Sequence, residues 1–191
     1  MTGPGHAASA PNIVMLGFMG CGKSSVSAKL AELTGMEAVE TDEIIAEASG
    51  MSIPEIFAAE GEDGFRARET AVLAEALAGS GKIISCGGGV VTRQENLRLL
   101  AESGCPVIRL TALPETVYAR IGSDPGRPML RDVHGPEDMA RLMARREEAY
   151  RAAGGTEVPT DGKTVEEIAR EIMKIAALCT GGFPKACEEQ P

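Results

Sequence analysis

Gly17-Phe18-Met19-Gly20-Cys21-Gly22-Lys23-Ser24 has the phosphate-loop spacing G-x-x-x-x-G-K-[ST]. Asn12-Ile13-Val14-Met15-Leu16 precedes it, an apolar run long enough for a buried strand. After it, Val26, Leu30 and Leu33 share one face at helical spacing. Strand, glycine loop and helix together form an anion cradle. Glycines let backbone N–H groups wrap a phosphate, and the helix N-terminus adds a favourable dipole. In such a cradle Lys23 reaches the β- and γ-phosphates, and the Ser24 hydroxyl ligates Mg²⁺. The motif points to a nucleoside triphosphate and leaves the acceptor open.

Outward from the loop, strand-like runs alternate with helical patterns. Strands are expected at 12–16, 37–40, 82–86 and 106–110, with a weak one at 156–159. Helices are expected at 23–34, 42–49, 53–78, 94–103, 114–121, 136–152 and 165–178, the third breaking near Gly61–Gly64. This order predicts an α/β fold: a parallel sheet of about five strands with helices on both faces, the three-layer P-loop kinase arrangement. Residues 12–178 read as a single domain, with flexible termini at 1–11 and 179–191. Ligands in such sheets collect beyond the carboxyl ends of the strands. Three loops there carry chemistry: 17–23, 41–42 and 87–89.

The bulk properties narrow the function. A net charge of −9 argues against a nucleic-acid surface, and the absence of Trp argues against base-stacking platforms. It also opposes any anionic substrate, so local arginines must reverse the field. Two histidines are too few for a histidine-based zinc site. Five cysteines with no C-x-x-C pair read as free thiols in a reducing cytoplasm. No apolar run reaches membrane length and no signal peptide is read, so a cytoplasmic monomer is expected.

Three constellations supplement the phosphate loop. Glu40-Thr41-Asp42 ends the second strand, and Asp42 reads either as a site carboxylate or as a helix cap. Gly87-Gly88-Gly89 ends the third strand, which suits close ligand approach, unusual dihedrals or a plain flexible turn. Arginines form the third group: Arg66 three residues before Glu69, Arg127 in a Gly/Pro-broken loop, and Arg146 four before Tyr150. A guanidinium fork binds carboxylate or phosphate in bidentate fashion. Segment 122–135 has turn residues at both ends and reads as a lid with little to anchor it in a core, carrying Arg127 onto transferring phosphate. Cys21, among backbone N–H groups and beside Lys23, is expected to be a reachable, thiolate-prone group without a catalytic role.

Taken in order, these motifs resemble the shikimate kinase family. The likeness rests on Gly-Phe-Met-Gly-x-Gly-Lys-Ser at 17–24, Thr41-Asp42, Ser52-Ile53, Glu55-Ile56-Phe57, Gly61-Glu62, Phe65-Arg66 with Glu69, the triple glycine, Arg127-Pro128, and Arg146 with Tyr150. The resemblance implies ATP-dependent phosphorylation of the shikimate 3-hydroxyl, with Mg²⁺ as cofactor and shikimate and ATP as small-molecule partners. It implies that Asp42 binds the acceptor hydroxyls and serves as base. Arg66 and Arg146 hold the carboxylate, and Gly87, Gly88 and Gly89 form the acceptor loop. Lys23 and Arg127 act on the phosphates. The nucleotide set is Gly20, Cys21, Gly22, Lys23, Ser24, Ser25, Arg120 and Arg127, with Arg120 and the loop near 161–164 beside adenine. Ser24 and Glu40 form the metal side. Two positions depart from the family pattern: Glu40 stands where Asp is usual, and Pro159-Thr160 where Asp-Thr is frequent. Competing readings are a gluconate-type kinase, which shares the phosphate loop without needing the other motifs in this order, and a non-catalytic relative, which would lack Lys23, Asp42 or Arg127.

Overall fold

Residues 10–122, 128–130 and 132–180 are described in a computed structural model of the chain. β1 (Ile13–Gly17), β2 (Glu37–Glu40), β3 (Lys82–Ser85), β4 (Val107–Thr111) and β5 (Thr156–Pro159) form one parallel sheet of order β2-β3-β1-β4-β5. β1 is central and wholly buried, which is why it reads as a continuous apolar run rather than an alternating one. The edge strands each bury one residue, Val39 in β2 and Val158 in β5. Pro159 ends β5 at the sheet edge, where a missing N–H is tolerated.

α1 (Lys23–Thr34), α2 (Thr41–Ser49), α3 (Ile53–Ala78), α4 (Gln94–Glu102), α5 (Pro114–Ile121), α6 (Pro136–Ala153) and α7 (Val165–Thr180) cover the sheet. The expected alternation is present. α7 runs two residues past 178, so Cys179 belongs to the helix rather than to a tail. α3 opens with a capping box between Ser52 and Glu55 and breaks its helical geometry at Gly61 (φ 72°, ψ −176°), inside the expected window. Beyond the break, Phe65, Arg66, Glu69, Thr70 and Leu73 are buried, one face of a re-aimed helix that carries two charges inward.

The chain lays β2 and β3 on one side of β1 and β4 and β5 on the other. The phosphate loop therefore leaves β1 where the sheet's winding reverses, the position that collects ligands in open α/β sheets. Gly17, at that exit, has φ +145°, and a Cβ there would lie 2.5 Å from the Leu110 carbonyl oxygen. The described part of segment 122–135 is better anchored than its composition suggests. Leu130 and Val133 are buried in the main core, and Pro128–Leu130 forms a 3₁₀ turn. Two apolar side chains separated by three positions were enough to give it a seat.

Gly17→Ala combines a disfavoured φ with a backbone collision, and it should lower stability by about 3 kcal/mol. Urea unfolding with the same slope and an earlier midpoint is the expected result.

Candidate active site

The phosphate pole is built on the β1–α1 turn. Gly20 (φ 78°) and Gly22 (φ 96°) adopt backbone that side chains resist, and Gly22 caps α1. Lys23 Nζ donates to the carbonyls of Gly17 (2.8 Å) and Phe18 (3.2 Å), so its charge lies over the loop. Burial pulls its ammonium below the ordinary lysine value. Ser24 and Ser25 are exposed in the first turn of α1. Arg120, in the last turn of α5, donates to the Gly20 carbonyl at 3.0 Å. Asp161 accepts from the Leu113 N–H at 3.0 Å, which ties the loop after β5 to the start of α5.

Ser24 Oγ donates to Glu40 Oε2 at 3.1 Å. Glu40 is half-buried, and that burial pushes its carboxyl above the ordinary value. A hydroxyl and a carboxylate, both hard oxygen donors, fit a Mg²⁺ ion that keeps most of its water and takes the rest of its shell from phosphate. The longer Glu40 side chain still brings its carboxylate to Ser24.

The acceptor pole is organised by Gly87-Gly88-Gly89. None of the three has a positive φ, so at Gly87 and Gly89 glycine is required for space rather than for dihedral freedom. A Cβ on Gly87 would lie 2.4 Å from Asp42 Oδ1 and 2.9 Å from Glu69 Oε1. One on Gly89 would lie 2.2 Å from Arg66 Nη1. The Gly88 carbonyl accepts from Arg146 Nη1 (3.1 Å) and the Tyr150 hydroxyl (2.8 Å). The Gly87 N–H donates to Thr41 Oγ1 at 3.1 Å, which joins the ends of β2 and β3. The two poles adjoin: the nearest atom to a Cβ on Gly88 would be the Met19 N, at 3.5 Å. α2 begins after Glu40, so Asp42 sits in its first turn and does not cap it.

Arg66 is buried and pairs with Glu69 at 2.8 Å. Glu69 is 1% exposed, and burial raises its carboxyl above the ordinary value against the pull of Arg66. Arg146 is lowered chiefly by burial, and the nearby Arg66 charge adds to that lowering. Two guanidinium groups are thus held within each other's field beside Asp42, which is a pocket shaped for an anion.

Two sequence expectations fail or fall outside. Cys21 is 1% exposed, and desolvation raises its thiol despite Lys23, so the loop buries a protonated thiol. Arg127 lies outside the described residues. Glu69, Thr41 and Tyr150 also join the acceptor pole, although the sequence reading assigns none of them a role by itself. The i,i+3 spacing to Arg66 and the i,i+4 spacing to Arg146 are the signals for the first and last. Thr41 stands in the Glu40-Thr41-Asp42 stretch, but no local pattern shows that its Oγ1 reaches Gly87.

A phosphate loop at the winding reversal of a five-strand parallel sheet, next to an arginine-lined acceptor cleft, defines a P-loop small-molecule kinase. The family model described as Shikimate kinase matches residues 19–177. Shikimate kinase of Symbiobacterium thermophilum is 41% identical over 168 residues, covering 85% of this chain and 94% of that protein. The Dehalococcoides mccartyi enzyme is 42% identical over 161 residues, covering 84% and 90%. Among solved structures, shikimate kinase from Acinetobacter baumannii in complex with shikimate superposes with TM-score 0.81 at 34% identity, covering 90% and 95%. The chain belongs to the shikimate kinase family.

Two outcomes test this geometry. Gly89→Ala should displace Arg66 rather than unfold the protein, raising KM for the acid acceptor while KM for ATP holds; equal rises in both would break the link to Arg66. Cys21 in the native protein should resist iodoacetamide at neutral pH and react on unfolding, as read by intact mass.

Proposed function

We propose that this protein transfers the γ-phosphoryl group of ATP to the 3-hydroxyl of shikimate, giving shikimate 3-phosphate and ADP in aromatic amino-acid biosynthesis. The observation that carries the reading is the convergence of Arg66 and Arg146 on the triple glycine, beside Asp42 and next to the phosphate loop. A carbocyclic acid needs a cationic clamp at its carboxylate and a carboxylate acceptor at its reacting hydroxyl.

Arg66 and Arg146 bind the acid's carboxylate and orient the ring. Asp42 accepts the proton of the 3-hydroxyl as its oxygen bonds to the γ-phosphorus, while the bond to the β,γ-bridging oxygen breaks and ADP leaves. Lys23 and the backbone N–H groups of Gly20, Cys21 and Gly22 stabilise charge on the transferring group. Ser24 and Glu40 would hold Mg²⁺, which when bound would neutralise phosphate charge. Arg120 and the 161–164 loop flank the adenine. Arg127, in segment 122–135, is assigned to the phosphates by the family resemblance. Closure of that segment would keep water, a competing acceptor, from the γ-phosphate. The reading takes residues 12–178 as one kinase domain, working as a cytoplasmic monomer. Among the described residues no helix is long and apolar enough to cross a membrane.

The test is purified protein with ATP and Mg²⁺ against shikimate, quinate, gluconate and nucleoside monophosphates. Shikimate should be the preferred acceptor by kcat/KM; preference for gluconate or a nucleotide would overturn the assignment. Lys23→Ala should cut turnover by about 100-fold or more with an unchanged melting temperature, the effect of losing one preorganised charge. Near-normal turnover in a folded Lys23→Ala protein would contradict the phosphate-pole assignment.

A further inference from the structure

α6 carries Arg146. Of its 18 residues, Met139 and Tyr150 are buried, with Leu142, Met143, Ala149 and Ala153 partly buried against the core. Beside it, in the middle of β4, stands a charge: Arg109, 7% exposed and flanked by Ile108 and Leu110. A guanidinium at that depth must be paired, and each of its partners lies on a different element. Arg109 Nη1 donates to Glu157 of β5 at 2.9 Å, and Nη2 donates to Glu147 of α6. Its plane lies 5.1 Å from the centroid of the Tyr150 ring. A cavity of about 220 Å³ runs along this contact, lined by Arg109, Met143, Glu147, Tyr150, Phe18 and Cys21 among others. Apolar packing therefore leaves space between α6 and the sheet that the polar contacts span.

Both α6 contacts of Arg109 are coupled to the acceptor pole. Glu147 directly follows Arg146, about 100° further round the helix. Tyr150, whose ring Arg109 covers, donates to the same Gly88 carbonyl as Arg146. Turning α6 about its axis would break the Arg109–Glu147 pair and withdraw both donors from Gly88 together.

We propose that Arg109 is a positioning residue for acceptor binding: through Glu147 and Tyr150 it sets the rotation of α6 and so aims the Arg146 guanidinium at the acid's carboxylate. The inference rests on the reading of Arg146 as a carboxylate ligand. It predicts a loss confined to the acid, because the phosphate loop and Arg120 are held by other contacts.

The experiment is steady-state kinetics of Arg109→Met, Arg109→Lys and Glu147→Gln, with melting temperatures. Arg109→Met should raise KM for shikimate about tenfold or more, as expected when a binding group is misplaced by a fraction of an ångström to an ångström. KM for ATP should stay within about twofold and kcat at saturating acid should stay near that of the unsubstituted protein, the signature of lost ground-state binding. Arg109→Lys should recover part of the loss. Glu147→Gln, at a half-exposed site that tolerates change, should shift KM for shikimate in the same direction by less. With an analogue whose carboxylate is reduced to an alcohol, Arg109→Met and the unsubstituted protein should perform alike. An unchanged shikimate KM in folded Arg109→Met overturns the proposal, as it does in Glu147→Gln if the first variant does not fold. An equal rise in KM for ATP also overturns it, since that reports general loosening. Failure of the functional reading is visible separately: the unsubstituted protein would then not phosphorylate shikimate, or would not distinguish acid from alcohol.

Discussion

The acceptor pole depends on two missing side chains and one carbonyl oxygen. The missing Cβ atoms at Gly87 and Gly89 make room for Asp42, Glu69 and Arg66, which arrive from α2 and α3. The Gly88 carbonyl receives Arg146 and Tyr150 from α6. Elements distant in sequence meet at one loop because nothing there projects outward. A larger residue at Gly87 or Gly89 would displace the side chains that the loop gathers. The chain-entropy cost of three adjacent glycines is offset by this convergence.

The phosphate pole works by the opposite device. There the backbone itself is the binding surface, and positive φ at Gly20 and Gly22 turns its N–H groups toward one point. The two poles sit side by side because β1 and β3 are neighbours in the sheet, although their registered positions Val14 and Ile84 are 70 apart in sequence, joined by a long excursion over α1, β2, α2 and α3. Parallel pairing forces such crossovers, and it brings the carboxyl ends of both strands to the same edge. Placement of donor and acceptor side by side is a consequence of sheet topology before it is a property of any side chain.

Much of this was legible in the residues. β1 and the loop after it were readable because a central parallel strand is apolar throughout and the loop's glycines have fixed spacing. The break in α3 was readable from Gly61. What escaped reading depended on tertiary contact. Cys21 looks reachable by its place in a loop, yet it is buried. The triple glycine reads in the sequence as ligand approach, unusual dihedrals or a plain turn, whereas at Gly87 and Gly89 the reason is the volume of side chains from other elements. Arg109 carried one overlooked signal: a charge in the apolar run Val107-Ile108-Arg109-Leu110 can be buried only if partners come from outside the strand, but no local pattern says which. At 128–135 the difference runs the other way, since the surrounding Gly and Pro residues conceal the anchoring of Leu130 and Val133.

The electrostatics resolve the apparent conflict between a net charge of −9 and an anionic substrate pair. The field that matters is local, and it is asymmetric within the clamp. Arg66 has Glu69 against it, so its charge is largely compensated and its geometry locked. Arg146 has no ion pair within 4.0 Å among the described residues and rests on a neutral carbonyl, with burial and the Arg66 charge both acting against its protonated form. Folding therefore holds one guanidinium as a fixed template and the other in a raised electrostatic state. A carboxylate placed between them relieves that repulsion as it binds. The cost is carried by the folded protein in advance, as expected of a site in which stability is given up for preorganised affinity. Glu69 thus has a double effect: it anchors Arg66, and with Glu62 it offsets part of the burial and Arg66 repulsion felt by Arg146, the residue whose aim is set from the far side of α6.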